Sequence, residues 1–400
     1  MATQEVFLGF TLKMDDLASS YLPLHLHSFT FKYSPINPFL SSMFNHLKPF
    51  FAFHQSSKNA LPVRESNREI RMLTPKSKLP LSFAFSSGCA LGRSLYLSLG
   101  LGLGLGLNLA YTQESQAATA QYQPQAQFDL TVTEMTYRQN PQGRNLMARI
   151  YRPNGEGPFP VIVDFHGGAW NAKDRHAEEP MDRALAKSGL LVVAVDLTLA
   201  PQAPFPANMQ DAHYAVRWAK LNAAKFAGDA SKIGIYGSSS GGHVAELLQM
   251  KPDEPTWGNV PLQGHPEIDA RVQFVVARSA ISDPQARYDN AVQKKRDNMI
   301  KNNTTYFQPW SSIDIANPQH ILDRHEAVRL VPIFLMQGEL DDNVLPSIQV
   351  RFCESYKAAG GECTLQIFAG SEHEWVAKEG EQTDLARARA KAYIAQHVNP

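Results

Sequence analysis

The 400-residue sequence predicts an α/β fold: a mainly parallel central sheet with helices on both faces and a small insertion acting as a lid. Three observations predict it. From about Phe128 strand-like and helix-like segments alternate. Two of the early strand segments, Pro160–Phe165 and Leu190–Val195, are nearly continuous apolar runs, as strands covered on both faces require. Finally, Gly237-Ser238-Ser239-Ser240-Gly241-Gly242 stands directly between the apolar Lys232–Tyr236 and the helical His243–Leu248, so a strand turns sharply into a helix there.

In chain order, Phe128–Met135 and Asn145–Tyr151 read as two opening strands joined by a turn at Asn140-Pro141-Gln142-Gly143. Glu179–Ser188 is a helix stopped by Gly189. Met209–Ala224 is another, with Ala212, Ala215, Val216 and Ala219 on one face. Strands follow at Val272–Ala277, Ile333–Gln337 and Thr364–Phe368, and late helices at Ser347–Ala359 and Thr383–His397. Residues 279–329, long, polar and aromatic-bearing between two core strands, are the lid insertion. An insertion there sits over the carboxyl ends of the strands, where ligands bind in such sheets.

The chain divides into an extension at 1–71 without periodicity or motif, a segment at 72–120, and a domain at 121–400. In the middle segment Lys76, Lys78 and Arg93 precede an uncharged stretch, 94–110, which ends before the small residues Ala117-Ala118-Thr119-Ala120. Basic start, apolar centre and small-residue exit are the grammar of a secretory signal. The expected location is therefore secreted or periplasmic; the alternative is a membrane anchor, should 94–110 stay uncleaved. Residues 1–120 hold 10 basic and 6 acidic side chains, leaving 28 and 32 beyond them, a net of −4 that argues against a nucleic-acid partner. Cys353 and Cys363 flank a helix-to-strand turn; an oxidising compartment permits a bridge, and two small buried residues are the alternative.

Ser239 is the serine such a turn lifts clear of the sheet, with Gly237 and Gly241 keeping the turn tight. A serine hydroxyl is a poor nucleophile at neutral pH and needs a base, itself oriented by a carboxylate. Asp341 follows the strand ending at Gln337, and His373 follows the strand ending at Phe368, so both fall on the same sheet edge as Ser239. Upstream, His166-Gly167-Gly168-Ala169-Trp170 leaves the strand ending at Phe165. Backbone N–H groups of Gly168 and Ala169, with that of Ser240, are the expected oxyanion donors, and His166, Gly167 and Trp170 support them. His243 is expected to pack or cap rather than react, and His213 and His265 have no evident partners. No spacing of Cys, His or Glu predicts a metal, and no glycine-rich loop predicts a phosphate cofactor.

The stretch from about Phe159 to Val376 resembles the α/β-hydrolase esterases of the hormone-sensitive-lipase type and the related secreted acyl esterases of the feruloyl and acetyl kind. His166–Trp170 resembles their oxyanion motif, and Asp196-Leu197-Thr198-Leu199-Ala200-Pro201-Gln202 resembles their Asp-Tyr-Arg-Leu-Ala-Pro-Glu segment. Gly237–Gly242 resembles Gly-Asp-Ser-Ala-Gly-Gly, with Ser238 in place of the Asp. The resemblance implies an α/β-hydrolase fold and cofactor-free hydrolysis of a carboxylic ester through an acyl-serine; the aromatic residues of 279–329, with no long apolar helix among them, point to small esters with short-chain or aromatic acyl groups. His-Gly-Gly-x-Trp also resembles kynurenine formamidases, which leaves an aryl formamidase or amidase as the alternative. A catalytically silent binding module is the reading from a different class; such a protein usually lacks the serine, the acid or the histidine, and this chain keeps all three. Trp170 with Tyr288, Tyr306, Phe307 and Trp310 of the lid are the aromatic residues expected to clasp the substrate.

Overall fold

The computed structural model describes residues 121–399, so the expectations for 1–71 and 72–120, including the uncharged 94–110, lie outside the described residues. The strands among the described residues are β1 (Leu130–Gln139), β2 (Asn145–Pro153), β3 (Phe159–Phe165), β4 (Leu191–Val195), β5 (Gly228–Ser238), β6 (Val275–Arg278), β7 (Ile333–Gly338) and β8 (Cys363–Phe368). They form one sheet in the order β1-β2-β4-β3-β5-β6-β7-β8. β1–β2 and β2–β4 are antiparallel, and every other pairing is parallel. The expected mainly parallel, doubly covered sheet is therefore what the chain builds.

Side chains alternate across the sheet and divide the core in two, as the two-residue period of a strand demands. Val161, Val163, Val193, Ile233, Ile235 and Val275 face one way. There they meet helices α2 (Ala207–Asn222) and α3 (Ser240–Met250) through Met209, Ala212, Val216 and Leu247. Ile162, Val192, Tyr236, Val276 and Phe334 face the other way, against α1 (Glu179–Lys187) and α10 (Glu381–Val398). Strands β3, β4, β6 and β7 are buried along their whole length, which is why their sequences are nearly all apolar, with Asp164, Arg278 and Gln337 as the exceptions.

Most expected boundaries shift by one or two residues; four shift further, β5 beginning at Gly228 rather than Lys232 and α3 at Ser240 rather than His243. β1 runs to Gln139 rather than Met135 because it keeps pairing with β2 as far as Asn145. β6 starts at Val275 rather than Val272 and ends at Arg278, one residue past the expected end.

The 279–329 insertion contains four helices, α5 (Pro284–Gln293), α6 (Asp297–Tyr306), α7 (Ser312–Ile315) and α8 (Pro318–Asp323), following the short α4 (Pro255–Gly258). Two of them begin with an Asx cap and a proline. Asp283 accepts from the Ala286 N–H and Asn317 from the His320 N–H, each satisfying a first-turn donor that has no intrahelical partner.

Cys353, on α9 (Pro346–Ala358), and Cys363, at the start of β8, form a disulfide with Cα atoms 5.6 Å apart. It closes a short loop, for which the chain-entropy model gives about 2–3 kcal/mol. Cys353→Ala with Cys363→Ala is therefore expected to lower unfolding free energy by about that amount in denaturant titrations, and reductant should have no further effect on the double variant.

Candidate active site

Four segments leave the carboxyl ends of parallel strands β3, β5, β7 and β8 and converge. Phe165, the last residue of β3, pairs in register with Gly237 of β5, so the 166–170 loop and the serine turn start at the same level. Packing there leaves no room for side chains. A Cβ on Gly241 would lie 1.8 Å from the Phe165 carbonyl oxygen, and one on Gly237 would lie 2.6 Å from the Gly241 carbonyl oxygen. Ser239 itself sits at φ +52°, ψ −113°, a conformation a non-glycine residue adopts only under constraint. Its N–H donates to the Arg278 carbonyl at 2.8 Å, and its own carbonyl accepts from Ile281 N–H at 3.1 Å.

Ser239, His373 and Asp341 form a single hydrogen-bonded line. Ser239 Oγ lies 3.0 Å from His373 Nε2, and His373 Nδ1 lies 2.8 Å from Asp341 Oδ2. Asp341 is buried, and its other oxygen accepts from the N–H groups of Asn343 and Val344, both at 2.9 Å, while Gln337 Nε2 donates to Oδ2 at 3.0 Å. Burial alone pushes the Asp341 carboxyl up. The hydrogen bond and charge of His373, with the backbone donors, outweigh that and hold it below the usual carboxylate range. The neighbouring Asp342 is exposed and pairs instead with Arg296 on the lid.

The 166–170 loop is strained over three successive residues: Gly168, Ala169 and Trp170 have φ of +110°, +50° and +62°. Non-glycine residues in that region cost of order 1–3 kcal/mol each and need neighbours that over-determine them. Trp170 has such neighbours. Its ring stacks on Tyr306 at 4.6 Å, its Nε1–H donates to His243 Nδ1 at 3.2 Å, and its carbonyl accepts from Ala200 N–H. Asn171 donates to the Ala169 carbonyl at 2.6 Å and accepts from Thr305 Oγ1 at 2.7 Å, tying the loop to α6. Among the described residues the Gly168 and Ala169 N–H groups donate to no protein acceptor, and Ser240 is the first residue of α3, where an N–H has no intrahelical partner. His166 is buried; its Nδ1–H donates to the Gly167 carbonyl at 2.7 Å, and desolvation lowers its pKa, so the ring is neutral. Gly167 runs beside the serine turn: a Cβ there would lie 3.1 Å from Ser238 Oγ and 3.4 Å from Ser239 Cβ.

His243 packs, as expected. It accepts from Trp170 and donates Nε2–H to the Ala316 carbonyl at 2.7 Å, and burial drives its pKa down to about 4. The aromatic clasp differs from expectation. Tyr306 and Phe307 are almost wholly buried, packed with Trp170 and His243 into the wall that supports the loop. Tyr288 and Trp310, 4.6 Å apart, are the members of the set that reach the surface. Two residues absent from the sequence reading also touch the site. Arg278 reaches the His373 carbonyl, and Glu178 accepts from Ser238 Oγ at 2.6 Å. Among the described residues, no group of three or more His, Cys, Asp or Glu side chains is arranged to hold a metal.

The BD-FAE family model matches residues 149–355, just over half of the chain. The chain belongs to the BD-FAE family. The match takes in the 166–170 loop, the serine turn and Asp341, and stops before His373. Among curated proteins, the carboxylesterase NlhH of Mycobacterium tuberculosis is 40% identical over 106 residues, which is 26% of this chain and 33% of that one. An arylesterase of Saccharolobus solfataricus is 36% identical over 106 residues, 26% of this chain and 35% of that one. This BD-FAE chain thus spans about a third of the length of each. A Pyrobaculum calidifontis esterase superposes with a TM-score of 0.56 at 22% identity, covering 68% of this chain and 86% of that one. A Thermogutta terrifontis esterase with propionate bound gives 0.53 at 21%, covering 66% and 94%. These likenesses establish the α/β-hydrolase fold.

The geometry predicts how substitutions rank. Ser239→Ala and His373→Ala are each expected to cost on the order of 10⁶-fold in turnover, because the pair acts as a unit, and Asp341→Asn about 10⁴-fold. Asp342→Asn should stay within a few-fold of wild type. Labelling by a serine-directed phosphonate, mapped by mass spectrometry, reads the same ranking; label on Ser238 or Ser240 would place the nucleophile elsewhere.

Proposed function

We propose that this protein is a serine carboxylesterase acting on small esters with short or aromatic acyl groups. The observation that carries the proposal is the continuous line from Ser239 Oγ through His373 to the buried Asp341. Ser239 Oγ attacks the ester carbonyl carbon while His373 Nε2 takes its proton, and Asp341 stabilises the imidazolium that forms. Negative charge on the carbonyl oxygen is received by N–H groups of Gly168, Ala169 and Ser240, already aimed before the reaction begins. Collapse expels the alcohol, protonated by His373. Water activated by the same nitrogen then attacks the acyl-serine and releases the acid. The names of the two curated relatives, a carboxylesterase and an arylesterase, support an ester rather than an amide substrate.

Substrate size follows from the lid. Its two longer helices, α5 and α6, have ten residues each and are polar, so they offer no broad apolar face to an oil–water interface. Tyr288 and Trp310 are the surface aromatics there. Acetyl to butyryl esters, or esters of phenolic acids, are expected to be turned over at least tenfold faster than palmitoyl esters in a kinetic series on nitrophenyl substrates. Activity that rises toward palmitoyl and jumps at an interface would overturn the substrate assignment.

Export is part of the same proposal. The Lys76–Ala120 pattern and the Cys353–Cys363 bridge both suit an oxidising, extracytoplasmic setting. Amino-terminal sequencing of the exported protein should find a start between about Ala117 and Gln121; an intact amino terminus in a cytosolic fraction would refute export.

A further inference from the structure

Behind the serine turn lies a buried polar cluster that the mechanism above does not use. Arg278, the last residue of β6, is 3% exposed. One arm of its guanidinium donates to Ser238 Oγ at 2.6 Å and to both oxygens of Glu178 at 3.3 and 3.4 Å. The other arm donates to the backbone carbonyl of His373. Its plane lies against the Trp375 ring, 5.8 Å to the centroid. Through its own carbonyl Arg278 also accepts the Ser239 N–H. One residue therefore holds the backbone of the nucleophile and the backbone of the base.

We propose that Arg278, clamped by Glu178 and Ser238, is a positioning residue that keeps the His373 loop in register with the Ser239 turn. The proposal rests on the esterase reading. His373 rides on a loop beyond β8 and reaches Ser239 Oγ at 3.0 Å, a contact that loop freedom would break. A planar fork with two arms can satisfy the turn and the loop together, which a single ammonium cannot. Glu178, at the amino-terminal end of α1, supplies the carboxylate and is buried like Arg278. The other buried carboxyls near the cluster, Asp164 and Asp182, have no hydrogen-bond partner among the described residues; burial, and the negative charge around them, push both well above the usual range. The ion pair behind the site is Arg278 with Glu178. Ser238 stands where the esterases it resembles carry Asp, and the carboxylate comes instead from Glu178, sixty positions away.

The charged and titratable groups around His373 are Asp341, Arg278, Glu374 paired with Lys173, and Glu372 paired with Lys378. Around Arg278 they are Glu178, Asp164, Tyr236 and Glu374. Removing one member of the Arg278–Glu178 pair therefore changes the field at His373 with a definite sign. Glu178→Gln leaves the guanidinium charge uncompensated and disfavours the imidazolium, so the acid limb of kcat/KM should move down, by about half a pH unit. Arg278→Met removes the charge and should move it up.

The experiment measures kcat, KM and the pH profile on nitrophenyl butyrate for the full chain and for Arg278→Met, Arg278→Lys, Glu178→Gln and Ser238→Ala, with circular dichroism and melting to check folding. Arg278→Met is expected to lose about 100-fold in kcat with KM within threefold, the cost of a small misplacement of the base. Arg278→Lys should recover less than tenfold of that, and Ser238→Ala should lose about tenfold. Should Arg278→Met fail to fold, Glu178→Gln and Ser238→Ala decide. Folded variants with kcat within twofold of wild type and an unmoved acid limb would overturn the proposal. Wild-type protein that neither hydrolyses the ester nor takes up phosphonate at Ser239 would instead overturn the esterase reading, and this one with it.

Discussion

Everything at the carboxyl edge of the sheet depends on how closely two backbones approach between the end of β3 and the turn from β5 into α3. The Phe165 carbonyl sits where a side chain on Gly241 would be, and the Gly241 carbonyl sits where a side chain on Gly237 would be. This contact brings the 166–170 loop beside the serine and lets β5 turn into α3 within one residue. That residue, Ser239, takes up the strain at φ +52°. A single Cβ at Gly241 would force the loop and the turn apart.

Strain in the turn is matched by strain in the loop, and both are held by packing rather than by local propensity. Ala169 and Trp170 would relax out of the left-handed region if free. They are kept there by the stack of Trp170 on Tyr306, the hydrogen bond to neutral His243 and the Asn171 bridge to α6. An aromatic pair adds about 0.5–1.5 kcal/mol beyond its buried area, comparable with the cost of one such residue. The 279–329 segment is therefore a brace for the 166–170 loop. Its anchors reach three parts of the site: Asn302 and Thr305 to the loop, Ala316 to α3, and Arg287 and Arg296 to the acid turn.

Charge is handled by enclosure. Asp341 stays ionised although buried, because His373 and two backbone donors compensate it from opposite sides. Behind the turn burial works the other way on Asp164 and Asp182, pushing both carboxyls well above the usual range, while Arg278 and Glu178 pair with each other. In so dry a region removing one partner of a pair costs far more than the pair contributes.

The sequence by itself determined the sheet and the order of the site. Strands buried on both faces are nearly continuous in apolar residues, so β3, β4 and β7 declared themselves, and Ser239, Asp341 and His373 each follow a different strand on one edge. The lid helices went unread because their polar sequences carry little apolar periodicity, although Asp283-Pro284 and Asn317-Pro318 are helix starts that a reading for caps would have found. Only the tertiary structure decided the rest. Whether Tyr306 and Phe307 face substrate or core depends on Trp170, which is more than a hundred residues away in the chain. A strand-end arginine and a glutamate before a helix read as surface charges; their pairing behind the serine turn exists only because α1 and β6 meet there. Local pattern reports which side of an element is buried, and contacts between distant segments report with what.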